Sequence, residues 1–300
     1  MTHNLIVILG PTGVGKSDIA VELALQLKCD IISADSRQFY REMRIGTAVP
    51  DSQQLDAVKH HFIQFIPADS YYSSSLFERD VLKLLPQLFS NGKTAIMAGG
   101  SGLYIDAVCN GIDNIPDIDL AVRTKYNEMY VESGVEALRK ALKLLDPEHY
   151  SKVDLKNHKR IIRALEICES TGRPYSSFLN KRKTQRDFAI IKIGLSRNRD
   201  ELYEMINKRV DKMIAEGLED EARGLYGLKH LNAMNSVGYR EFFCYFDGQI
   251  TKEEAISLIK RNSRRYAKRQ LTWWAKDNEI TWFDAGAKED IFRFVNNAIR

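Results

Sequence analysis

Residues 5–17 read LIVILGPTGVGKS, a stretch that combines an apolar run with a glycine-rich loop. Leu5–Leu9 is an apolar run with the length of a buried strand, and Ser17–Leu27 has the apolar spacing of a helix. Between them, Gly10–Ser17 satisfies the pattern G-x-x-x-x-G-K-[ST], which forms a phosphate-binding loop where it joins a strand to a helix. The sequence therefore predicts a P-loop at the start of an α/β domain.

The predicted loop has the groups that a phosphate chain requires. Its glycines let successive backbone N–H groups turn toward an anion, and the helix N-terminus adds a positive dipole. Lys16 supplies a positive charge, and the hydroxyl of Ser17 can bind Mg²⁺. The residues predicted to bind the phosphorylated ligand are Gly10, Pro11, Thr12, Gly13, Val14, Gly15, Lys16 and Ser17.

Short apolar runs alternate with helical patterns over most of the chain, which is typical of a parallel sheet with helices on both faces. Strands are predicted at Leu5–Leu9, Ile31–Ser33, Phe62–Ile66, Thr94–Ala98, Ile190–Leu195 and Glu279–Phe283. Helices are predicted at Ser17–Leu27, Leu76–Phe89, Asp200–Glu216, Leu218–Leu228, Ser236–Asp247 and Lys252–Lys276. Pro86 should break the second of these helices near its end.

The pattern changes near residues 110–119, which contain a glycine, a proline and three aspartates. From there onward the sequence is charged and helical, without a strand-like run, until about residue 186. We therefore predict an all-helical insertion at residues 113–186 within an α/β core formed by residues 1–112 and 187–300.

Two clusters of basic residues indicate a nucleic-acid partner. The overall balance of 44 Lys and Arg against 40 Asp and Glu is too even to do so by itself. Cations with interleaved aromatic rings are typical of an RNA surface, although each cluster alone could be a solvated helix face and Trp274 could pack inward. The insertion carries Lys152, Lys156, Lys159, Arg160, Arg163, Arg173, Lys181, Arg182, Lys183 and Arg186. The last long helix carries Lys260, Arg261, Arg264, Arg265, Lys268, Arg269 and Lys276, with Tyr266, Trp273 and Trp274.

The cysteines and the apolar runs exclude other classes of protein. Cys29, Cys109, Cys168 and Cys244 form no C-x-x-C pair, so neither a disulfide framework nor a zinc site is predicted. The apolar run near the N-terminus is too short for a signal peptide, and no stretch approaches the roughly 20 apolar residues of a membrane span. We expect a cytoplasmic protein that does not enter the membrane.

Asp35 follows the second predicted strand, at the end where it can face the P-loop. In a doubly wound sheet the carboxyl ends of neighbouring strands meet at one crevice, where ligands bind. A carboxylate there can take a proton from an attacking nucleophile, or it can simply close an Asx turn. Asp35 is therefore a candidate general base.

The P-loop by itself does not define the reaction. The strand Thr94–Ala98 runs into Gly99–Gly102 without the acidic residue that P-loop NTPases use for Mg²⁺ and water. A small-molecule or nucleoside kinase, in which Asp35 would activate an acceptor hydroxyl, is one alternative. An RNA-binding module with an inactive P-loop is another.

Seven strings between Gly10 and Trp274 are similar to motifs of one family: GPTGVGKS, SADSRQFY, IGTAVP, GGSGLY, RALE followed by TGRP, SVGYRE and YAKRQLTWW. In this order they resemble the tRNA dimethylallyltransferase family. The resemblance implies a P-loop kinase-like core with a helical tRNA-binding insertion. It implies transfer of a dimethylallyl group from dimethylallyl diphosphate to N6 of the adenosine 3′ of the anticodon. A monomeric, bacterial-type enzyme is implied, since no C-terminal zinc finger is present.

The resemblance also implies roles for individual residues. The P-loop would hold the diphosphate with Mg²⁺ on Ser17, and the implied catalytic residues are Asp35, Thr12, Lys16 and Arg209. The implied contacts with the anticodon stem-loop of tRNA are Asp35, Ser36, Arg37, Gln38, Ser101, Arg123, Lys159, Arg160, Ile161, Ile162, Arg163, Asn235, Ser236, Val237, Gly238, Tyr239, Arg240, Lys268, Arg269, Gln270, Leu271, Thr272, Trp273, Trp274 and Ala275. Val49, Ser101 and Pro86 depart from the family pattern, which usually has Lys, Thr and no proline there.

Overall fold

The computed structural model describes residues 3–113, 120–179 and 184–299. It divides into two compact units. The first contains Met1–Asn110 and Gln185–Arg300, and the second contains Gly111–Thr184, so each boundary lies two residues before the predicted one.

A six-stranded parallel sheet forms the centre of the first unit, in the order β3-β2-β4-β1-β5-β6. The α/β prediction is confirmed. The strands are β1 (Asn4–Leu9), β2 (Ile31–Ser33), β3 (His60–His61), β4 (Thr94–Gly99), β5 (Ala189–Ser196) and β6 (Ile280–Asp284). Because β1 lies between β4 and β5, the loop that follows β1 is at the centre of the carboxyl edge.

Helices cover both faces of this sheet. They are α1 (Lys16–Leu27), α2 (Ser52–Ala57), α3 (Ser74–Asn91), α4 (Gly102–Asn110), and, after the second unit, α8 (Arg199–Ala215), α9 (Leu218–Gly224), α10 (Tyr239–Phe246), α11 (Lys252–Trp274) and α12 (Lys288–Ala298). Alternate residues of β1 enter two separate cores. Leu5, Val7 and Leu9 pack with α3 and α4, whereas Ile6 and Ile8 pack with α1, α8 and α12.

Two local predictions in the first unit were wrong. Phe62–Ile66 is not a strand, because Phe62 and Gln64 have positive φ angles (63° and 48°), which no extended chain adopts. The rings of Phe62 and Phe65 instead pack into an aromatic cluster around Phe39 and Phe77.

Pro86 does not end its helix, because α3 continues to Asn91. The proline lies on the exposed face of the helix, where water can satisfy the freed carbonyl. Helices α2, α4 and α12 had no predicted counterpart.

The second unit is helical over the residues that the structure describes. It contains α5 (Leu120–Leu145), α6 (Pro147–Tyr150), α7 (His158–Thr171) and a 3₁₀ turn at Tyr175–Phe178. Gly134, with φ 70°, interrupts α5, and Gly172, with φ 66°, ends α7. Tyr126, Leu138, Leu142, Ile161 and Leu165 form its core.

Candidate active site

The P-loop connects β1 to α1 at the carboxyl edge of the sheet. Gly10, Gly13 and Gly15 have φ angles of 153°, 80° and 100°, which side chains rarely allow. A Cβ on Gly13 would also lie 2.9 Å from Cγ1 of Ile206, so helix α8 packs directly against the loop. No side chain caps the N-terminus of α1, which begins at Lys16. The loop and helix therefore form an anion-binding cradle.

A cavity of about 860 Å³ opens over this cradle. Its wall brings together the four predicted catalytic residues Thr12, Lys16, Asp35 and Arg209, which come from the P-loop, the end of β2 and helix α8. The cavity is also lined by Gly13, Gly15, Ser17, Gln38 and Gln270 from the predicted ligand-binding and RNA-contact residues. One site thus contains a phosphate cradle, two cations and a carboxylate.

The positive charges of Lys16 and Arg209 lie close enough at this site to repel each other. The ammonium of Lys16 donates hydrogen bonds to the carbonyl oxygens of Gly10 and Pro11, both at 2.9 Å. Burial, with the positive charge of Arg209, lowers the pKa of Lys16 to about 7, against the smaller opposing effect of Asp35. Burial also lowers the pKa of Arg209, which Asp35 partly offsets. The site therefore favours a ligand of high negative charge.

Asp35 lies two residues beyond β2, and its side chain is half-buried. Its Oδ1 accepts a hydrogen bond of 3.0 Å from the N–H of Arg37, which is the Asx turn considered above. The turn and the catalytic role are compatible, because the turn fixes a carboxylate that also lines the cavity. Next to it, Oγ of Ser101 accepts a hydrogen bond of 2.9 Å from the N–H of Ser36.

Residues 44–50 form another wall of the cavity, and two side chains fix them. Glu221 of α9 accepts hydrogen bonds from the N–H groups of Arg44, Ile45 and Gly46 at 3.0, 2.7 and 2.9 Å, and from the hydroxyl of Tyr239 at 2.6 Å. Gln38 donates to the carbonyl oxygens of Thr47 and Ala48 at 3.2 and 2.9 Å. The acidic stretch containing Glu221 gave no sequence signal for this role, because acidic residues in the first turn of a helix are common.

Burial separates the predicted RNA contacts of the first unit into three groups. Asn235, Arg240, Lys268, Arg269, Thr272, Trp273 and Ala275 are exposed, and Ser36, Arg37, Ser236, Val237 and Leu271 are half-buried. Gln38, Ser101, Gly238, Tyr239, Gln270 and Trp274 are buried. The side chains of Tyr239 and Trp274 pack in hydrophobic cores, and RNA contact at these two positions stays a prediction.

The second unit shows the same division. Lys159 and Arg160 are exposed at the start of α7, Arg163 is half-buried, and Ile161 and Ile162 are buried in the core of this unit. RNA contact at these five positions stays a prediction. Arg123 donates two hydrogen bonds to the buried carboxylate of Glu166, at 2.8 and 3.1 Å. Lys181, Arg182 and Lys183 lie outside the described residues.

A Mg²⁺ ion fits this site through one protein group. In the described part of the chain, no three His, Cys, Asp or Glu side chains are grouped to hold a metal ion. Mg²⁺ keeps several waters and usually binds one or two protein groups together with substrate phosphates. Ser17, in the first turn of α1 and exposed in the cavity, is placed to be such a group.

The fold and this site define a protein of the P-loop α/β class, with a carboxylate beside the anion-binding cradle. Residues 38–277 match the family described as IPP transferase. A tRNA dimethylallyltransferase of Christiangramia forsetii is 50% identical over 300 residues, which cover 100% of this chain and 99% of the relative. That of Phocaeicola vulgatus is 47% identical, with 99% of both chains covered. The chain belongs to the IPP transferase family, and it is a transferase.

Solved structures agree with this assignment. The tRNA isopentenylpyrophosphate transferase of Bacillus halodurans is similar with a TM-score of 0.72 and 38% identity, covering 98% of this chain and 96% of that one. The enzyme of Staphylococcus epidermidis gives 0.70 and 30%, with 99% and 98% covered. None of the described helices has the length and apolar composition needed to cross a membrane. The family resemblance and the P-loop kinase-like fold are thereby confirmed.

Proposed function

We propose that the chain transfers a dimethylallyl group from dimethylallyl diphosphate to N6 of the adenosine on the 3′ side of the anticodon in tRNA. The observation that carries this proposal is the single cavity in which Lys16 and Arg209 face Asp35. The named activities of the relatives support it. The kinase alternative is not favoured, because the family is that of prenyl transfer.

The P-loop would bind the diphosphate of the donor. When the bond between the allylic carbon and the diphosphate oxygen breaks, negative charge grows on the leaving oxygen. Lys16, Arg209 and the N–H groups at the start of α1 are fixed before the reaction, so they stabilise this charge without reorganising. Mg²⁺ bound by Ser17 and the diphosphate would neutralise part of the same charge.

Asp35 would accept the proton that the adenine amine loses. The lone pair of N6 is delocalised into the ring, so the amine is a weak nucleophile. As the N6–carbon bond forms, one N6 proton passes to the carboxylate of Asp35, and diphosphate leaves with the electrons of the broken bond. The adenine must leave its stack to reach the cavity, and a loop makes this less costly than a duplex.

The tRNA would contact the exposed basic residues of both units. The exposed basic residues include Lys159 and Arg160 in the second unit, which the sequence predicted at residues 113–186. In the first unit they include Lys268 and Arg269. Their charges suit the phosphates of an anticodon stem-loop, and Trp273 offers an aromatic face. We propose that the protein acts in the cytoplasm as a monomer.

The experiment that tests this function is mass spectrometry of tRNA nucleosides after incubation with dimethylallyl diphosphate, Mg²⁺ and the Asp35→Asn variant or the wild type. Asparagine keeps the oxygen that closes the turn with Arg37, so the variant should fold and bind tRNA normally. We expect turnover to fall by ~10²-fold or more, the usual loss of a general base. Asp187→Asn, an exposed residue just before β5 at the opposite edge of the sheet, is the matched control. Turnover close to that of the wild type for Asp35→Asn would remove Asp35 from the mechanism.

A further inference from the structure

Gln270 of α11 connects two loops of the active site through a single buried side chain. Its Oε1 accepts a hydrogen bond of 2.8 Å from the N–H of Thr12 in the P-loop. Its Nε2 donates one of 2.7 Å to the carbonyl oxygen of Gly100, just beyond β4. The side chain is only 6% exposed, so both partners of its amide come from the protein. The family resemblance placed this residue among the RNA contacts, within the stretch Lys268–Ala275.

The same face of α11 packs tightly on the loop after β4. A Cβ on Gly100 would collide with Nε2 of Gln270, and one on Gly102 would lie 2.6 Å from the ring of Trp273. One turn before Gln270, the hydroxyl of Tyr266 is hydrogen-bonded to Ser101, and burial raises its pKa to about 12. The glycines of this loop therefore allow the helix to approach closely enough for Gln270 to reach the P-loop.

We propose that Gln270 is a positioning residue for the diphosphate and not a contact for RNA. The bond to Thr12 fixes the start of the P-loop at Gln270, and the bond to Gly100 fixes Gln270 in turn. The N–H groups beyond Thr12 are then held toward the cavity before the donor arrives. This preorganisation matters because a binding loop that must be ordered by its ligand loses affinity. The inference rests on the proposed function in one respect, that the P-loop holds a diphosphate.

Helix α11 presents different side chains on two of its faces near Gln270. Lys268 and Arg269, immediately before it, are exposed and face the proposed tRNA, while Gln270 itself points into the core. One helix thus presents cations to the RNA and fixes the loop for the donor. Substitution of Gln270 should therefore weaken the binding of diphosphate but not that of tRNA, although both depend on helix α11.

The test measures the affinity of the wild type and of two variants for inorganic diphosphate with Mg²⁺ and, separately, for tRNA. Gln270→Met has a similar volume and removes both hydrogen bonds. Gln270→Asn keeps an amide but is one methylene too short to span both partners, so it tests the idea even where the methionine variant is unstable. We expect both to weaken diphosphate binding by about 10-fold or more, as for two lost buried hydrogen bonds, and to change tRNA affinity less than twofold. Gln87→Met, exposed on α3, should change neither.

Each other result would overturn the proposal. Loss of tRNA affinity with normal diphosphate binding would make Gln270 an RNA contact. Unchanged values for both ligands would remove any positioning role, and a parallel loss of both with a lower melting temperature would make Gln270 a general stabiliser. If the wild type itself does not bind diphosphate, the proposed function fails instead, which distinguishes the two conclusions.

Discussion

The lowered pKa of Lys16 predicts how donor binding depends on pH. Lysine ordinarily titrates at 10.5, and burial with Arg209 brings Lys16 to about 7. This difference corresponds to a penalty of about 5 kcal/mol for the charged form in the ligand-free protein. A bound diphosphate would remove much of it, because the anion lies beside both cations. Binding above pH 7 should therefore take up a proton at Lys16.

The size of the effect follows from this pKa. At pH 8 only about one Lys16 in ten carries a proton, so the affinity for inorganic diphosphate should fall about tenfold per pH unit between roughly 7.5 and 9. Below pH 6.5 it should be nearly constant. Diphosphate itself titrates in this range, so the comparison needs Lys16→Arg, whose guanidinium stays charged throughout. The ratio of the dissociation constants of the wild type and Lys16→Arg isolates the contribution of Lys16 protonation.

The assay is isothermal titration calorimetry in two buffers of different ionisation enthalpy. At pH 8 the wild type should take up nearly one proton more than Lys16→Arg, and at pH 6 almost none. Thermal stability gives a second measure of the same free-energy cost. The cost of holding the charged Lys16 side chain in the folded protein is fully present below pH 7 and disappears as the pH rises toward 10.5. Lys16→Met should therefore raise the melting temperature more at pH 6 than at pH 9. Equal proton uptake by wild type and Lys16→Arg at pH 8 would refute this account.

Two further predictions follow from contacts described above. Glu221→Gln should lower the free energy of unfolding by about 1–3 kcal/mol in urea titrations, because it weakens the charge-assisted hydrogen bonds to residues 44–46. It should also raise the KM of the donor, because these residues form a wall of the cavity. An unchanged KM would show that this wall does not touch the donor. Arg269→Ala should reduce the salt dependence of tRNA binding by about one phosphate, whereas the exposed control Arg293→Ala on α12 should leave it unchanged. A slope identical to that of the wild type would exclude Arg269 from the phosphate contacts.

The sequence was sufficient for those parts of the fold and site that depend on local pattern. The P-loop and the strands around β1 have strong periodicity and a fixed motif, and Asp35 follows from the rule that strands end at a common edge. Phe62–Ile66 failed because aromatic packing overrode strand propensity through two positive φ angles. The roles of Glu221 and Gln270 lie outside any local pattern, since Gly46 is 175 residues from Glu221 and Thr12 is 258 residues from Gln270 in the chain.

Ion pairs explain why a count of basic residues overstates the RNA surface. Lys260 is paired with Asp211 at 2.6 Å, and Arg123 with the buried Glu166. Moving Arg123 to a phosphate would leave the buried carboxylate of Glu166 with only the longer contact to Arg163, which is costly, whereas the pair of Lys260 with the largely exposed Asp211 contributes little. Lys159 and Lys268 have no ion pair in the described part of the chain and are exposed, so phosphates can displace their counterions without such a cost. We therefore expect phosphate contacts at Lys159 in the second unit and at Lys268 in the first, and none at Arg123.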